Sequence, residues 1–188
     1  MSTADPEPDS PVDLFRRAFR RHANGVTVLS YEGKAGVNGM TATSVCSLAA
    51  QPPQLLACVS RAARTRNLII EAGRFAVNIL SEGQRDISEL CSTSGGDKHL
   101  DTALIDQAGS YPFIRNALAA LGCQVLQIYE GMTHSMIVGQ VAEVRLGRQS
   151  LPLVYFEGTY NTVRTLAGGG QAAAMYDQML HDMIRSYS

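Results

Sequence analysis

The chain carries its longest strand-like pattern between residues 120 and 146, which read ALGCQVLQIYEGMTHSMIVGQVAEVRL. Two segments of this stretch, Ala120–Glu130 and Ser135–Leu146, are rich in β-branched and other apolar residues, a composition typical of β-strands. A shorter strand is predicted at Leu153–Phe156, where the same composition returns. The C-terminal part of the chain is therefore expected to be built mainly from strands.

Upstream of this stretch, short predicted strands and helices follow one another without a regular order. The strands are predicted at Val26–Tyr31, Gly39–Ser47, Gln54–Ser60 and Phe75–Leu80, and the helices at Asp13–Ala23, Thr65–Ala72 and Glu82–Cys91. A doubly wound parallel sheet would need a regular β-α-β alternation, which this order lacks. The fold class is therefore predicted as mainly β (α+β), a β-barrel with a few flanking helices.

The length of 188 residues favours one main domain. Residues 1–11 are acidic and contain proline, which predicts a disordered leader. Residues 12–166 hold the predicted strands and helices and are expected to form the domain itself. Residues 167–188 begin with a Gly/Ala-rich run and end in a short amphipathic helix, so they are predicted to form a C-terminal tail.

Composition and charge exclude several classes of protein. The 16 Lys and Arg residues nearly balance the 17 Asp and Glu residues, for a net charge of −1, which argues against binding to nucleic acid or to an anionic membrane surface. No apolar run approaches the roughly 18 residues of a membrane-spanning helix. The first ten residues, MSTADPEPDS, lack the basic and apolar regions of a secretory signal.

The cysteines and histidines give no metal-binding pattern. Cys46, Cys58, Cys91 and Cys123 include no C-x-x-C pair, and the four histidines are scattered along the chain. A zinc site or a disulfide framework is therefore not expected. Free thiols in a reducing compartment are the better interpretation, which predicts a cytoplasmic protein without a structural metal.

Known nucleotide-binding and hydrolase motifs are missing from the chain. It has no G-x-G-x-x-G after a strand, no G-x-x-x-x-G-K-[ST] and no G-x-S-x-G. Rossmann, P-loop and serine-hydrolase chemistry therefore have no local support in the sequence.

Three stretches carry the remaining chemical signals. Gly39–Ser47 combines small and hydroxyl side chains in an extended segment, so a flat ligand could lie against its backbone, although an ordinary Thr/Ser-rich edge strand has the same pattern. Ser60–Arg66, SRAARTR, follows an apolar strand and begins a helix, which suits a phosphate group but also a solvated basic turn. His134 begins a strand, where histidines are often structural.

Taken in order, these segments resemble the flavin reductase family with the FMN-binding split-barrel fold. The resemblance runs from Phe15 to Tyr160 through nine short blocks. The blocks include FRRAFRRHANGVTVL from Phe15, GMTATS from Gly39, Ser60 to Thr65, GRFAVNIL from Gly73, Asp97-Lys98, His134, Gly139-x-Val141 and PLVYFxGxY from Pro152. The order of the blocks, rather than any single one, identifies the family.

The resemblance implies an NAD(P)H-dependent reductase of FMN or FAD that transfers a hydride to flavin N5. Such an enzyme would supply reduced flavin to a partner monooxygenase and would be a homodimer, with the site close to the subunit interface. His134 would be the catalytic residue beside the nicotinamide of NADH or NADPH. The implied flavin-binding residues are Thr41, Ala42, Thr43, Ser44, Val45, Cys46, Ser47, Ser60, Arg64, Thr65, Asn78, Ile79 and Lys98.

The sequence departs from the family pattern at three places. Thr43 stands where Asn is common, Thr133 replaces the acid before His134, and His99 replaces an aromatic residue. Two alternatives therefore stay open beside the flavin reductase. One is a reductase that keeps its FMN and acts on another acceptor, such as a corrinoid, and the other is a non-catalytic FMN- or haem-binding module.

Overall fold

The computed structural model describes residues 10–34, 36–93, 98–106 and 108–164. Most of the predicted leader and the whole predicted C-terminal tail lie outside these residues. The described helices are α1 (Pro11–Arg20), α2 (Arg64–Ala72) and α3 (Arg85–Ser92). The described strands are β1 (Asn24–Gly25), β2 (Thr27–Gly33), β3 (Gly36–Ala42), β4 (Val45–Ala50), β5 (Pro53–Ser60), β6 (Arg74–Ile79), β7 (Ile105–Asp106), β8 (Phe113–Ile114), β9 (Ala119–Glu130), β10 (His134–Leu146), β11 (Val154–Phe156) and β12 (Thr159–Asn161).

The main sheet has seven antiparallel strands in the order β3-β2-β6-β9-β10-β5-β4. Its two edge strands, β3 and β4, follow each other in the chain and are joined only by Thr43 and Ser44. A link this short spans at most roughly 11 Å, so the two edges of the sheet lie close together there and the sheet curls round. The prediction of a mainly β fold with few helices is confirmed.

The concave side of the curled sheet encloses the largest apolar core. In β5 the buried residues alternate with half-buried ones, so that Leu55, Ala57 and Val59 point to the core. Phe75 and Ile137 from neighbouring strands are also almost fully buried in this cluster. Since side chains fill the interior, a ligand has to bind on the outer face or at an end of the sheet.

A second apolar cluster lies on the other side of β2 and β6. It contains Val26, Val28 and Leu80 and is covered in part by Cys91 of α3. This cluster holds α3 against the sheet and brings its N-terminal turn to the same side as β3.

Two helices differ from their predictions for local reasons. The first was predicted to begin at Asp13, but Ser10 is its N-cap and accepts a hydrogen bond from the Asp13 backbone N–H, because Pro11 takes the first helical position. The predicted helix Glu82–Cys91 starts as a 3-10 turn and becomes α-helical only at Arg85. Within α3, Ser88 and Cys91 are buried, whereas Leu90 is 44% exposed.

The helix predicted at Thr65–Ala72 is confirmed with one additional residue. α2 begins at Arg64 and ends at Gly73, whose φ of 66° gives a left-handed C-cap that glycine adopts without steric cost. Within the described part of the chain, no helix is long and apolar enough to cross a membrane.

Candidate functional site

A large cavity of about 970 Å³ opens beside the end of β3. Separate parts of the chain form its walls: Val26 and Tyr31, residues 40–43, residues 60–65, residues 85–93 with Lys98, and the hairpin at 155–160. Its volume lies near the upper end of the range of roughly 300–1,000 Å³ for ligand pockets. The cavity is therefore the candidate ligand site of the described residues.

Four polar residues that line this cavity, Ser60, Arg64, Thr65 and Lys98, are together called the anion end here. Ser60 ends β5, and Arg64 and Thr65 form the first turn of α2. The N-cap of α2 is Ala63, so no side chain caps the helix dipole there. Two hydroxyls, two cationic groups and a helix N-terminus form a donor set that matches the oxygens of a phosphate group.

Internal hydrogen bonds fix two members of the anion end. Thr65 is buried, and its hydroxyl shares a 3.0 Å hydrogen bond with the phenol of Tyr31. The ammonium group of Lys98 donates to the backbone carbonyl of Cys91 at 2.9 Å. Burial raises the pKa of the Cys91 thiol to about 11, so this cysteine in the cavity wall is a neutral thiol at physiological pH and a poor nucleophile.

A second set of lining residues, here called the aromatic wall, consists of Arg85, Tyr155 and Tyr160. Tyr155 of β11 is paired in register with Tyr160 of β12, and their rings make an edge-to-face contact at 5.6 Å. The guanidinium carbon of Arg85 lies 5.5 Å from the centre of the Tyr160 ring. The lining of the cavity thus includes cationic and hydroxyl groups as well as aromatic rings.

The predicted flavin-binding stretch is divided between two surfaces. Thr41 and Thr43 line the large cavity, and the Thr41 hydroxyl donates to the carbonyl of Ser88 at 2.7 Å. Beyond the bend at Thr43 and Ser44, an apolar groove of about 540 Å³ begins. Of the predicted residues, those that line this groove are Thr43, Val45, Cys46, Ser47 and Ile79.

His134 lies at the rim of the site, beside the anion end. It is the register partner of Ser60, with β10 and β5 antiparallel. Side chains of directly opposed residues project from the same face, with Cβ atoms roughly 5 Å apart. The exposed His134 therefore shares the outer face of the sheet with Ser60, and its Nδ1 lies 2.9 Å from the Thr133 hydroxyl.

A charged network connects the strand end that carries His134 to the anion end. Glu130 forms an ion pair with Arg66 of α2, lies 3.5 Å from the Nε of Arg61 and accepts a hydrogen bond from Ser135 at 2.8 Å. Arg61 also donates its backbone N–H to the carbonyl of Thr133 at 2.9 Å. The hydrogen bond from Ser135 and the charge of Arg66 lower the pKa of Glu130, so the carboxylate stays ionised.

Four predicted site residues line neither surface. Asn78 is fully buried, where its amide donates to the Val28 carbonyl and the Ser30 hydroxyl and accepts from the Ile114 backbone. The others are Ala42, Ser44 and His134. The Ser44 hydroxyl donates to the carbonyl of Cys58, which fixes the bend between β3 and β4. The binding roles of all the named site residues stay predictions.

Sequence reasoning missed the aromatic wall. Tyr155 and Tyr160 stand in a block that supports the family resemblance, but nothing in their local pattern indicates a cavity wall. The turn at Glu157 and Gly158, both with positive φ, is a usable signal, because it folds β12 back on β11 and brings the two rings together. No local sequence pattern indicates that Arg85 belongs to this wall, because only the tertiary fold brings it to Tyr160.

The residues present fit a flavin nucleotide. The anion end matches its phosphate, the backbone around Thr41 and Thr43 can reach the polar edge of a flat ring, and the cavity has sufficient volume. In contrast, the described residues include no cluster of three or more His, Cys, Asp or Glu side chains that could hold a metal ion.

The protein is thus a mainly β protein whose curled antiparallel sheet carries a cavity lined by phosphate-type donors. Residues 19–164 match the flavin reductase like domain. The chain therefore belongs to the flavin reductase family, as the sequence resemblance implied.

Similar proteins cover most of the chain. The reductase component of 4-hydroxyphenylacetate 3-monooxygenase from Thermus thermophilus is 36% identical over 79% of this chain and 94% of its own length. An FMN reductase (NADH) from Pseudomonas syringae pv. syringae is 34% identical over 78% of this chain and 84% of its own length. The structure of an NADH:FAD oxidoreductase from Streptomyces globisporus C-1027 superposes with a TM-score of 0.72 and 28% identity, over 88% of this chain and 99% of that one.

Because of the network around Glu130, the stability of wild type relative to a Glu130→Gln variant should depend on pH. Because the folded state lowers the pKa of Glu130, its contribution to stability is present above the unfolded value of 4.5 and is lost as the pH falls through the folded value. We expect Glu130→Gln to be less stable than wild type at about pH 7 and nearly equal to it at about pH 3. Urea unfolding at both pH values measures this gap.

The matched control is Glu32→Gln, which removes the partner of Arg74 in an exposed pair at 2.8 Å. It should change stability little at either pH, because exposed single pairs contribute little. A stability difference between wild type and Glu130→Gln that is as large in acid as at neutral pH would contradict the lowered pKa of Glu130.

Proposed function

We propose that the protein is an NAD(P)H:flavin oxidoreductase that supplies reduced flavin to a partner monooxygenase. The observation that carries this proposal is the convergence of Ser60, Arg64, Thr65 and Lys98 with the polar strand end at Thr41 and Thr43 in one cavity. We also propose that the curled sheet, open between β3 and β4, is the split barrel that the family resemblance implied.

In this proposal each part of the site has a separate task. Ser60, Arg64, Thr65 and Lys98 hold the flavin phosphate, and the chain from Thr41 to Ser47 offers backbone groups to the ring. When bound, the flavin supplies the redox chemistry, since its N5 takes a hydride from NAD(P)H. His134 stands at the rim, on the same face as Ser60, where the nicotinamide would approach.

The site needs no strong acid or base for this reaction. Hydride transfer depends on holding two rings in contact, excluding water and placing hydrogen-bond donors where charge develops. The hydrogen bonds at Thr41, Thr65 and Lys98 and the network around Glu130 keep the walls in place before a ligand binds. Such preorganisation is the main contribution that the protein makes to catalysis.

The deciding experiment is NADH oxidation by the purified protein, with and without excess FMN. We expect turnover that scales with the added FMN, because a reductase that supplies a monooxygenase has to bind and release flavin repeatedly. Anaerobic absorbance at the flavin band measures the reduction directly.

Other results would favour the alternatives. A protein-bound flavin that bleaches once with NADH but does not turn over added FMN would indicate another acceptor, such as a corrinoid. No response of either kind would leave a non-catalytic FMN- or haem-binding module.

Two substitutions separate flavin binding from hydride transfer. Arg64→Ala should weaken FMN binding by about 1.5–3 kcal/mol, the range for the loss of a charged hydrogen bond. His134→Ala should slow hydride transfer while FMN affinity stays nearly unchanged. Fluorescence titration with FMN and stopped-flow reduction by NADH measure the two effects.

FMN affinity and the rate of flavin reduction together test the role of each residue. Unchanged FMN affinity in Arg64→Ala would contradict the phosphate assignment. Equal losses of affinity and rate in His134→Ala would make this residue a flavin-packing group instead.

We also propose a cytoplasmic homodimer. Its four cysteines are free, as expected in a reducing compartment. Two exposed apolar surfaces support the dimer. The first is α1, in which no residue is buried and Phe15 is 62% exposed. The second is the register pair of Tyr129 on β9 and Met136 on β10, which are 53% and 39% exposed. Exposed apolar patches of this kind commonly form interfaces.

A charge placed on this surface tests the dimer. Met136→Glu should convert the dimer to a monomer, because burying an unpaired carboxylate in an interface is costly. Sedimentation velocity measures the mass, and Leu90→Glu, at an exposed position on α3, is the control that should stay dimeric. A wild type that sediments as a monomer would contradict the dimer without affecting the reductase proposal.

A further inference from the structure

The aromatic wall of the large cavity takes no part in the function as proposed above. Tyr155 is 38% exposed although it lines a cavity. An aromatic ring that is accessible within a concave site provides a flat apolar surface on which a planar ligand group can stack.

The wall is held rigidly in place. The phenol of Tyr160 shares a 2.9 Å hydrogen bond with the hydroxyl of Ser88, a fully buried residue of α3. The carbonyl of the same Ser88 accepts from Thr41. One residue therefore fixes the Tyr160 ring relative to the strand end that forms the predicted flavin site, which lowers the entropy cost of binding.

The wall also carries a positive charge. Arg85 donates from its Nε to Glu89 at 2.7 Å, and this hydrogen bond raises the pKa of the guanidinium group. Among the described residues, no other nitrogen of Arg85 has a hydrogen-bond partner. The group can therefore donate further hydrogen bonds to an anion, and the planar guanidinium suits phosphate oxygens.

We propose that the aromatic wall binds the adenosine diphosphate half of a dinucleotide, with the adenine against Tyr155 and a phosphate at Arg85. A purine offers a π-face for stacking on tyrosine, and the diphosphate offers the negative charge that Arg85 requires. The anion end consists of other residues of the same cavity and holds a different phosphate in the proposed function, on which this inference rests.

Two dinucleotides contain this half: NADH, as the hydride donor, and FAD, as the acceptor. Reduced nicotinamide mononucleotide (NMNH) and FMN carry the same reactive rings but lack the adenosine. Comparing KM for NADH with KM for NMNH, and KM for FAD with KM for FMN, therefore isolates the contribution of the adenosine half from either source.

The test variants are Tyr155→Leu and Arg85→Gln. We expect the preference for at least one dinucleotide over its mononucleotide to fall by about tenfold, the effect of one lost base-stacking contact. If only the ratio of KM for NMNH to KM for NADH changes, the wall binds the hydride donor. If only the ratio of KM for FMN to KM for FAD changes, it binds the flavin acceptor. Tyr155→Phe keeps the ring and should restore most of the preference.

The control is Arg74→Gln, which removes an exposed arginine that pairs with Glu32 at 2.8 Å and does not line the cavity. Thermal unfolding checks that each variant is folded. Equal losses for dinucleotides and mononucleotides, or unchanged ratios in both Tyr155→Leu and Arg85→Gln, would overturn the proposal. A wild type that does not oxidise NADH with FMN at all would instead overturn the proposed function.

Discussion

The two-residue link between β3 and β4 is the constraint on which the structure depends. Hydrogen bonds hold it from both sides: the Ala42 carbonyl accepts from Thr27 of β2, and the Ser44 carbonyl accepts from the backbone of Cys58 in β5. The two edges of a seven-stranded sheet are thereby brought together without pairing. The curl encloses the apolar core and leaves the polar groups of the link on the outside, where a ligand can reach them.

The same constraint determines how the site is assembled. Because the link ends beside β5, the loop after that strand comes close to Thr41 and Thr43, and the first turn of α2 follows directly. The strand pair β5 and β10 then places His134 next to Ser60. His134 and Ser60, which are far apart in the chain, therefore meet through strand pairing, and the ionic contacts around Glu130 fix this strand end against α2.

The sequence allowed a part of the site to be predicted where its residues follow one another closely in the chain. The anion end could be predicted because a strand end, hydroxyls, arginines and a helix start coincide within Ser60–Arg66. The strands were predictable from their β-branched composition, and most of their limits agree with the structure to within two residues. The family resemblance extended this to the fold as a whole, which the similar structures support.

Tertiary contacts and helix phase could not be predicted in the same way. The contact between Arg85 and Tyr160 depends on α3 packing against the sheet and on the turn at Gly158, so no local pattern indicates it. Leu90 is apolar but 44% exposed, because the packing of α3 rather than the residue type decides which of its sides is buried. The family resemblance implies that Asn78 binds the flavin, yet its hydrogen bonds are all to the protein core.

The burial of Cys91 bears on how the protein withstands the product of its own proposed reaction. Reduced flavin that meets dioxygen before it meets a partner enzyme yields hydrogen peroxide, which oxidises cysteines through their thiolate form. With its pKa raised to about 11, Cys91 is a thiolate in only roughly one molecule in ten thousand at neutral pH. The Cys91 thiol in the cavity wall is thus chemically protected from peroxide that forms during uncoupled turnover.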